Sequence, residues 1–198
     1  MISTYKIKPA FQKLLTPLLS ALRKLGVTPN FITVLAVLLS LGLGYLFSEA
    51  GSNSMYYLYV ALGLLLRMML NALDGMMARI YEMQSRTGEV LNEVGDIVSD
   101  VAIFYPLLFL EGLNFKLAFS FIMLSVVNEF CGILGKAMGG ERRYEGPMGK
   151  SDRATVVGVL CLMFYFGVGV EEYLNYVFGV VVALVTLSSL IRLKHAIK

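Results

Sequence analysis

The chain has 198 residues, 57% of them hydrophobic and 16% charged, with a formal net charge of +3. Soluble domains carry about a quarter charged residues, so this composition argues against a soluble enzyme or a nucleic-acid binder and fits one polytopic helical membrane domain. A single histidine, His195, and two cysteines with no CxxC pair exclude a zinc site and a catalytic histidine.

Residues 4–25 interleave Phe11, Leu14, Leu15, Leu18, Leu19 and Leu22 with Lys6, Lys8, Lys13, Arg23 and Lys24. That pattern predicts an amphipathic helix lying in the membrane interface, apolar face down, bounded or bent by Pro9 and Pro17. A basic amphipathic lead of this kind is the wrong layout for a cleavable leader. Thr28-Pro29-Asn30 is a helix start signal. A membrane-spanning helix needs roughly twenty apolar residues. Six such stretches follow, at about 31–47, 55–73, 88–110, 115–134, 154–170 and 173–190. The expected fold is therefore all-α: an interfacial helix within 1–27 and a six-span core over 28–198, as one domain. Cys131 and Cys161 fall in apolar stretches and read as small buried thiols.

Lysine and arginine concentrate in the amino-terminal segment, the 74–88 connection, the 136–153 loop and the tail. The opposite loops hold Glu49, Glu111, Lys116, Glu171 and Glu172. Positive charge in short loops marks the cytoplasmic side, which puts both termini and the 74–88 connection there.

The chemistry concentrates in residues 71–100, NALDGMMARIYEMQSRTGEVLNEVGDIVSD. Ionisable residues in membrane segments are costly and mark sites by default. Asn71 and Asp74 share one helix face; Gly88, Asn92, Asp96 and Asp100, four apart, share another, flanked by Glu89 and Glu93. Antiparallel spans joined at the cytoplasmic end would bring the two faces together as an oxygen-rich pocket, closed at depth by an Arg67–Asp100 ion pair. Hard oxygen donors suit magnesium, manganese or calcium. Gly75 permits close backbone approach, and Arg79 offers a planar fork to phosphate oxygens, so a phosphate-bearing ligand is expected. The alternative reading is a polar seam that only holds helices together.

The spacing Asp74-Gly75-x2-Ala78-Arg79-x8-Gly88-x3-Asn92-x3-Asp96 resembles the CDP-alcohol phosphotransferase (phosphatidyltransferase) signature, DG-x2-AR-x8-G-x3-D-x3-D. Thr28-Pro29-Asn30 with Thr33 resembles the family's TPN-x2-T opening. Gly149-Lys150, followed by Arg153, resembles its lysine-containing segment before the fifth span. The sequence departs from the signature where Asn71 and Asn92 stand at its first and third aspartate positions. Asparagine keeps a carbonyl ligand and brings no charge, so either fewer metals bind or Glu89, Glu93, Asp100 or Glu129 helps. A second register would make Asp96 and Asp100 the last two signature aspartates, at the loss of the Gly88 match.

The resemblance implies an integral membrane enzyme of phospholipid synthesis, dependent on Mg2+ or Mn2+. It would transfer a phosphatidyl group from CDP-diacylglycerol, or a related CDP-alcohol, to a hydroxyl acceptor and release CMP. It assigns Asp96 as both metal ligand and base, Asp74 with Asn71 and Asn92 as metal ligands, and Gly75, Ala78, Arg79 and Gly88 to CMP and phosphate. Lys150 and Arg153 are candidates for the acceptor's phosphate; Arg142 and Arg143 in the same loop would either join them or touch anionic headgroups. Glu129 is either functional or a partner of Arg67. A homodimer in the inner membrane is expected by the same resemblance. Two other readings stay open: a CDP-aminoalcohol donor with diacylglycerol as acceptor, and a catalytically weak relative that binds CDP-lipid or supports a partner.

Overall fold

A computed structural model describes residues 8–197, with side chains described from Phe11 onward. The first part of the predicted interfacial segment, including Lys6, lies outside the described residues. Seven α-helices follow in order: α1 Lys8–Lys24, α2 Pro29–Ser48, α3 Met55–Ile80, α4 Arg86–Phe104, α5 Phe115–Ala137, α6 Lys150–Tyr165 and α7 Leu174–Ala196. Short 3-10 turns, Tyr105–Phe109 and Glu171–Tyr173, extend α4 and introduce α7.

Local chemistry sets the helix starts. Thr28 caps α2, its hydroxyl accepting from the Phe31 amide, and Pro29 occupies the first turn, where no amide is needed. Ser85 caps α4 through the Gly88 amide at 3.0 Å, and Asn114 caps α5 through Lys116. α3 runs unbroken through Asp74, Gly75, Ala78 and Arg79, so the first half of the signature is helical throughout.

Four segments are long and apolar enough to cross a membrane: Pro29–Ser48, Met55–Ile80, Phe115–Ala137 and Glu171–Ala196. The other two expected spans differ for physical reasons. α4 carries Arg86, Glu89, Glu93, Asp96 and Asp100, and α6 has 16 residues, a few short of the roughly twenty of an upright span. Both irregularities fall on the helices that bear candidate site residues.

α2 is the central strut. It packs against α3 on one side and α4 on the other; α3 also meets α6, and α5 pairs with α7. Glycine permits the α2–α4 crossing: a Cβ on Gly44 would lie 2.3 Å from the Ala102 carbonyl oxygen, and one on Gly95 would lie 2.8 Å from Val37. One core gathers Phe104, Phe121, Phe178, Leu64 and Val157 from five helices. A second seats Leu15 and Leu19 of α1 against Leu70, Leu73, Met76 and Met77 of α3. Leu14 and Leu18 of α1 stay exposed, so only part of that helix's apolar face is taken up by the bundle.

Candidate active site

The site grows from the amino-terminal turns of α2. Thr33 Oγ1 lies 3.0 Å from Asp74 Oδ2 and 3.1 Å from the Pro29 carbonyl. An ionised Asp74 claims the hydroxyl proton, because hydrogen bonds to a charged acceptor are the stronger ones. One turn earlier Asn30 lies against α4: a Cβ on Gly88 would sit 2.6 Å from Asn30 Oδ1. A side chain at Gly88 would thus crowd Asn30 and the Ser85 hydroxyl, at 3.0 Å, where α2 and α4 meet. The TPN-x2-T segment thus fixes both halves of the signature, with Asn30 toward α4 and Thr33 toward α3. The sequence hinted at this only through the three-residue spacing of Asn30 and Thr33, which puts them on one face; neither was expected to touch the signature.

Asp74 is buried, and its charge is within reach of Lys150 and Asp96. Asp96 is half-buried and ion-paired to the Lys150 ammonium, which ties α4 to α6. Asn71 and Asn92 are half-buried on the same two helices as the carboxylates. Gly75 and Ala78 are half-buried, and Arg79 is exposed. The Arg79 guanidinium folds back over Gly75, where a Cβ would come within 3.2 Å of Nη1. A groove between α1 and α3 opens beside it, lined by Gln12, Lys13, Thr16 and Met76.

The expected Arg67–Asp100 pair is present at 2.8 Å, with both residues buried. It is the first link of a chain the sequence did not reveal. Asp100 also accepts from Arg153 at 2.9 Å, and Arg153 reaches Glu129 at 2.7 Å. Glu129 accepts from Arg142 at 2.9 Å, and Arg142 Nε lies 2.6 Å from Glu93 on α4. Arg192 of α7 stands 3.8 Å from Glu129 and donates to the Asn128 carbonyl at 2.8 Å. Glu129 therefore partners Arg153, Arg142 and Arg192 and not Arg67, one of the two roles the sequence had left open for it. Arg153 is 0% exposed, with its terminal nitrogens on Asp100, Glu129 and Asn128. Glu89 stands apart from this network, exposed and paired with Lys136.

Burial alone would hold back an arginine's charge, yet in the 138–149 loop the Glu129 and Glu93 carboxylates raise the Arg142 pKa above its ordinary value. Arg142 also stacks over the Tyr144 ring at 4.6 Å. Arg142 is thus a fixed cation that pins this loop to α4 and α5.

The donor set can be tested against a metal by its chemistry. Asp74 and Asp96 supply carboxylate oxygen, and Asn71 and Asn92 supply amide carbonyl oxygen. All are hard donors on two helices that share one strut, which fits a divalent cation of the magnesium or manganese type. Among the described residues no three His, Cys, Asp or Glu side chains converge, so the carboxylate contribution is limited to the Asp74–Asp96 pair.

The family profile described as CDP-alcohol phosphatidyltransferase matches residues 26–191. The chain is 44% identical over 158 residues to the inner membrane protein YnbA of Escherichia coli, covering 80% of this chain and 78% of that one. It is 32% identical over 104 residues to an uncharacterized protein of Aquifex aeolicus, covering 52% and 50% of the two chains. Among solved structures it resembles the phosphatidylinositol phosphate synthase PgsA1 of Mycobacterium tuberculosis in complex with manganese and citrate. That match has a TM-score of 0.76 at 21% identity and covers 92% of this chain and 88% of that one. The same synthase with CDP-DAG bound matches with a TM-score of 0.69 at 21% identity, covering 93% and 94%. At such identity the likeness speaks for the fold.

Proposed function

The chain belongs to the CDP-alcohol phosphatidyltransferase family, and from that premise we propose that it transfers the phosphatidyl group of CDP-diacylglycerol to a hydroxyl acceptor and releases CMP. The observation that carries this reading is the Lys150–Asp96 ion pair between α6 and α4, with the Thr33-bound carboxylate of Asp74 within reach of both charges. A CDP-DAG-bound synthase of the same fold supports the donor.

In the proposed reaction Asp96 takes the proton of the acceptor hydroxyl. The oxygen forms a bond to the phosphorus distal to cytidine, the phosphoanhydride bond breaks, and CMP departs with its electron pair. A positioned base of this kind contributes typically 10²- to 10⁴-fold in rate. A divalent cation, Mg2+ or Mn2+, held by Asp74, Asp96, Asn71 and Asn92, would neutralise the diphosphate and the leaving CMP. Thr33 holds the Asp74 carboxylate in place. Gly75 and Ala78 leave room for the CMP moiety, and Arg79 offers its fork to phosphate. Lys150 pairs with Asp96 in the free chain and turns to substrate phosphate when substrate arrives. Arg153, enclosed by Asp100 and Glu129, positions α4 and α6 rather than touching substrate. Asp100, engaged by two arginines, is better suited to that structural part than to the base, which supports the register ending at Asp96.

The charge distribution supports both termini and the site lying at the cytoplasmic face, with α4 and α6 completing a six-span core and α1 lying in the interface. A homodimer is inferred from family resemblance. The test uses purified protein with radiolabelled CDP-diacylglycerol, Mg2+ or Mn2+ and a panel of polyol, amino-acid and sugar-phosphate acceptors. CMP release that needs both metal and one acceptor is expected; no CMP release from any CDP-linked donor contradicts the proposal.

A further inference from the structure

Positions 71 and 92 are asparagines, so the carboxylates of the site are Asp74 and Asp96. Four more acids stand near enough in the sequence to make up the difference, and each is engaged elsewhere. Glu89 pairs with Lys136 at the surface. Glu93 is held by Arg142 at 2.6 Å. Asp100 is held from two sides, by Arg67 at 2.8 Å and Arg153 at 2.9 Å. Glu129 is held by Arg153 at 2.7 Å and Arg142 at 2.9 Å. Drawing Asp100 or Glu129 away would strand buried guanidiniums, and an unpaired buried charge is strongly unfavourable. Lys150 meanwhile places a positive charge on Asp96 itself.

We propose that the free chain holds one divalent cation, not two, between Asp74 and Asp96, with the Asn71 and Asn92 carbonyls as neutral ligands. This rests on the metal-dependent reading of the site and makes it specific. One divalent ion takes up both carboxylate charges and already leaves Lys150 unmatched. A second would add two positive charges beside Lys150 with no further carboxylate free to meet them. In a partly buried site such repulsion is weakly screened. Any second ion would have to arrive with the negative charge of the substrate's own diphosphate.

The probe is Mn2+ titrated into the purified full-length chain in detergent, with free Mn2+ counted by its electron paramagnetic resonance signal. Saturation at one Mn2+ per chain is expected. The double variant Asn71→Asp, Asn92→Asp should saturate at two, and Glu89→Gln should stay at one. Asp74→Asn, shown folded by its thermal melt, should bind Mn2+ at least tenfold more weakly. Two Mn2+ per wild-type chain, or none, overturns the proposal. So does a double variant that stays at one, or a folded Asp74→Asn that binds as the wild type does. The CMP-release assay run beside it separates the two ideas. One Mn2+ without CMP release removes the transferase reading and keeps this one; two with CMP release does the reverse.

Discussion

Thr33 and Arg67 carry opposite kinds of load. Thr33 touches the site's carboxylate, whereas Arg67 is buried against Asp100 at the far end of the polar chain. Thr33→Val removes a hydrogen bond to a charged acceptor, worth about 1.5–3 kcal/mol. Where that loss falls on the placement of Asp74, kcat/KM should drop roughly 10- to 100-fold, and Thr33→Ser should restore most of it. Steady-state CMP release checks both variants. Arg67→Ala leaves Asp100 short of one partner in a buried setting, and breaking such a pair costs about 3–5 kcal/mol. Its thermal unfolding midpoint in detergent should fall markedly, while the Mn2+ affinity of the molecules still folded stays at the wild-type level. Unchanged stability with lost metal affinity would contradict the structural role. The Arg67–Asp100 pair was legible in the sequence because both residues are charges deep in apolar helices, and the bundle offers such groups few partners. Arg153 was not: a motif places it near the candidate site, but only its contacts to Asp100 of α4 and to Glu129 and Asn128 of α5 show it enclosed.

Helix positions followed from hydropathy and caps, since Thr28-Pro29 and the apolar runs dictate where α2, α3, α5 and α7 start and how far they reach. Which helices touch did not follow. α3 and α4 are joined in sequence and share the signature, yet both pack mainly on α2. The cause lies in small residues whose role appears only when the partner is in view. Gly44 faces a backbone oxygen of α4, so Gly44→Ala forces the helices apart; overpacking of this kind costs about 1–3 kcal/mol. Gly63 faces only the end of the flexible Leu43 side chain, so Gly63→Ala should cost clearly less. Thermal melts of the two variants side by side test this, and equal losses would contradict the α2–α4 crossing.

Across the whole molecule the polar groups form two layers. Asp74, Asp96 and Lys150 stand at the candidate site, and a chain of arginines and acids ties α3 to α6, α7 and the 138–149 loop. The loop lies directly on α5, since a Cβ on Gly135 would meet the Glu141 carbonyl oxygen at 2.5 Å. From the α7 side Ser188 and Arg192 donate to the Glu145 carbonyl at 3.2 and 3.3 Å. Arg142→Ala should free this loop from α4 and α5. Proteolysis within residues 138–149 should then speed up at least severalfold, because opening of a segment tracks the contacts that hold it; an unchanged cleavage rate would argue against the strap. The signature's spacing pointed to the candidate site, whereas the loop's fastening was hidden because its partners come from α4, α5 and α7.

The most direct measurement follows labelled phosphatidyl groups from CDP-diacylglycerol into a new lipid, with wild-type protein and the Asp96→Asn and Asp100→Asn variants assayed together with Mn2+. The site described here predicts metal-dependent product from the wild type and none from folded Asp96→Asn. Asp100→Asn should lose stability but keep measurable turnover. Full activity in Asp96→Asn, with a folded but dead Asp100→Asn, would contradict it.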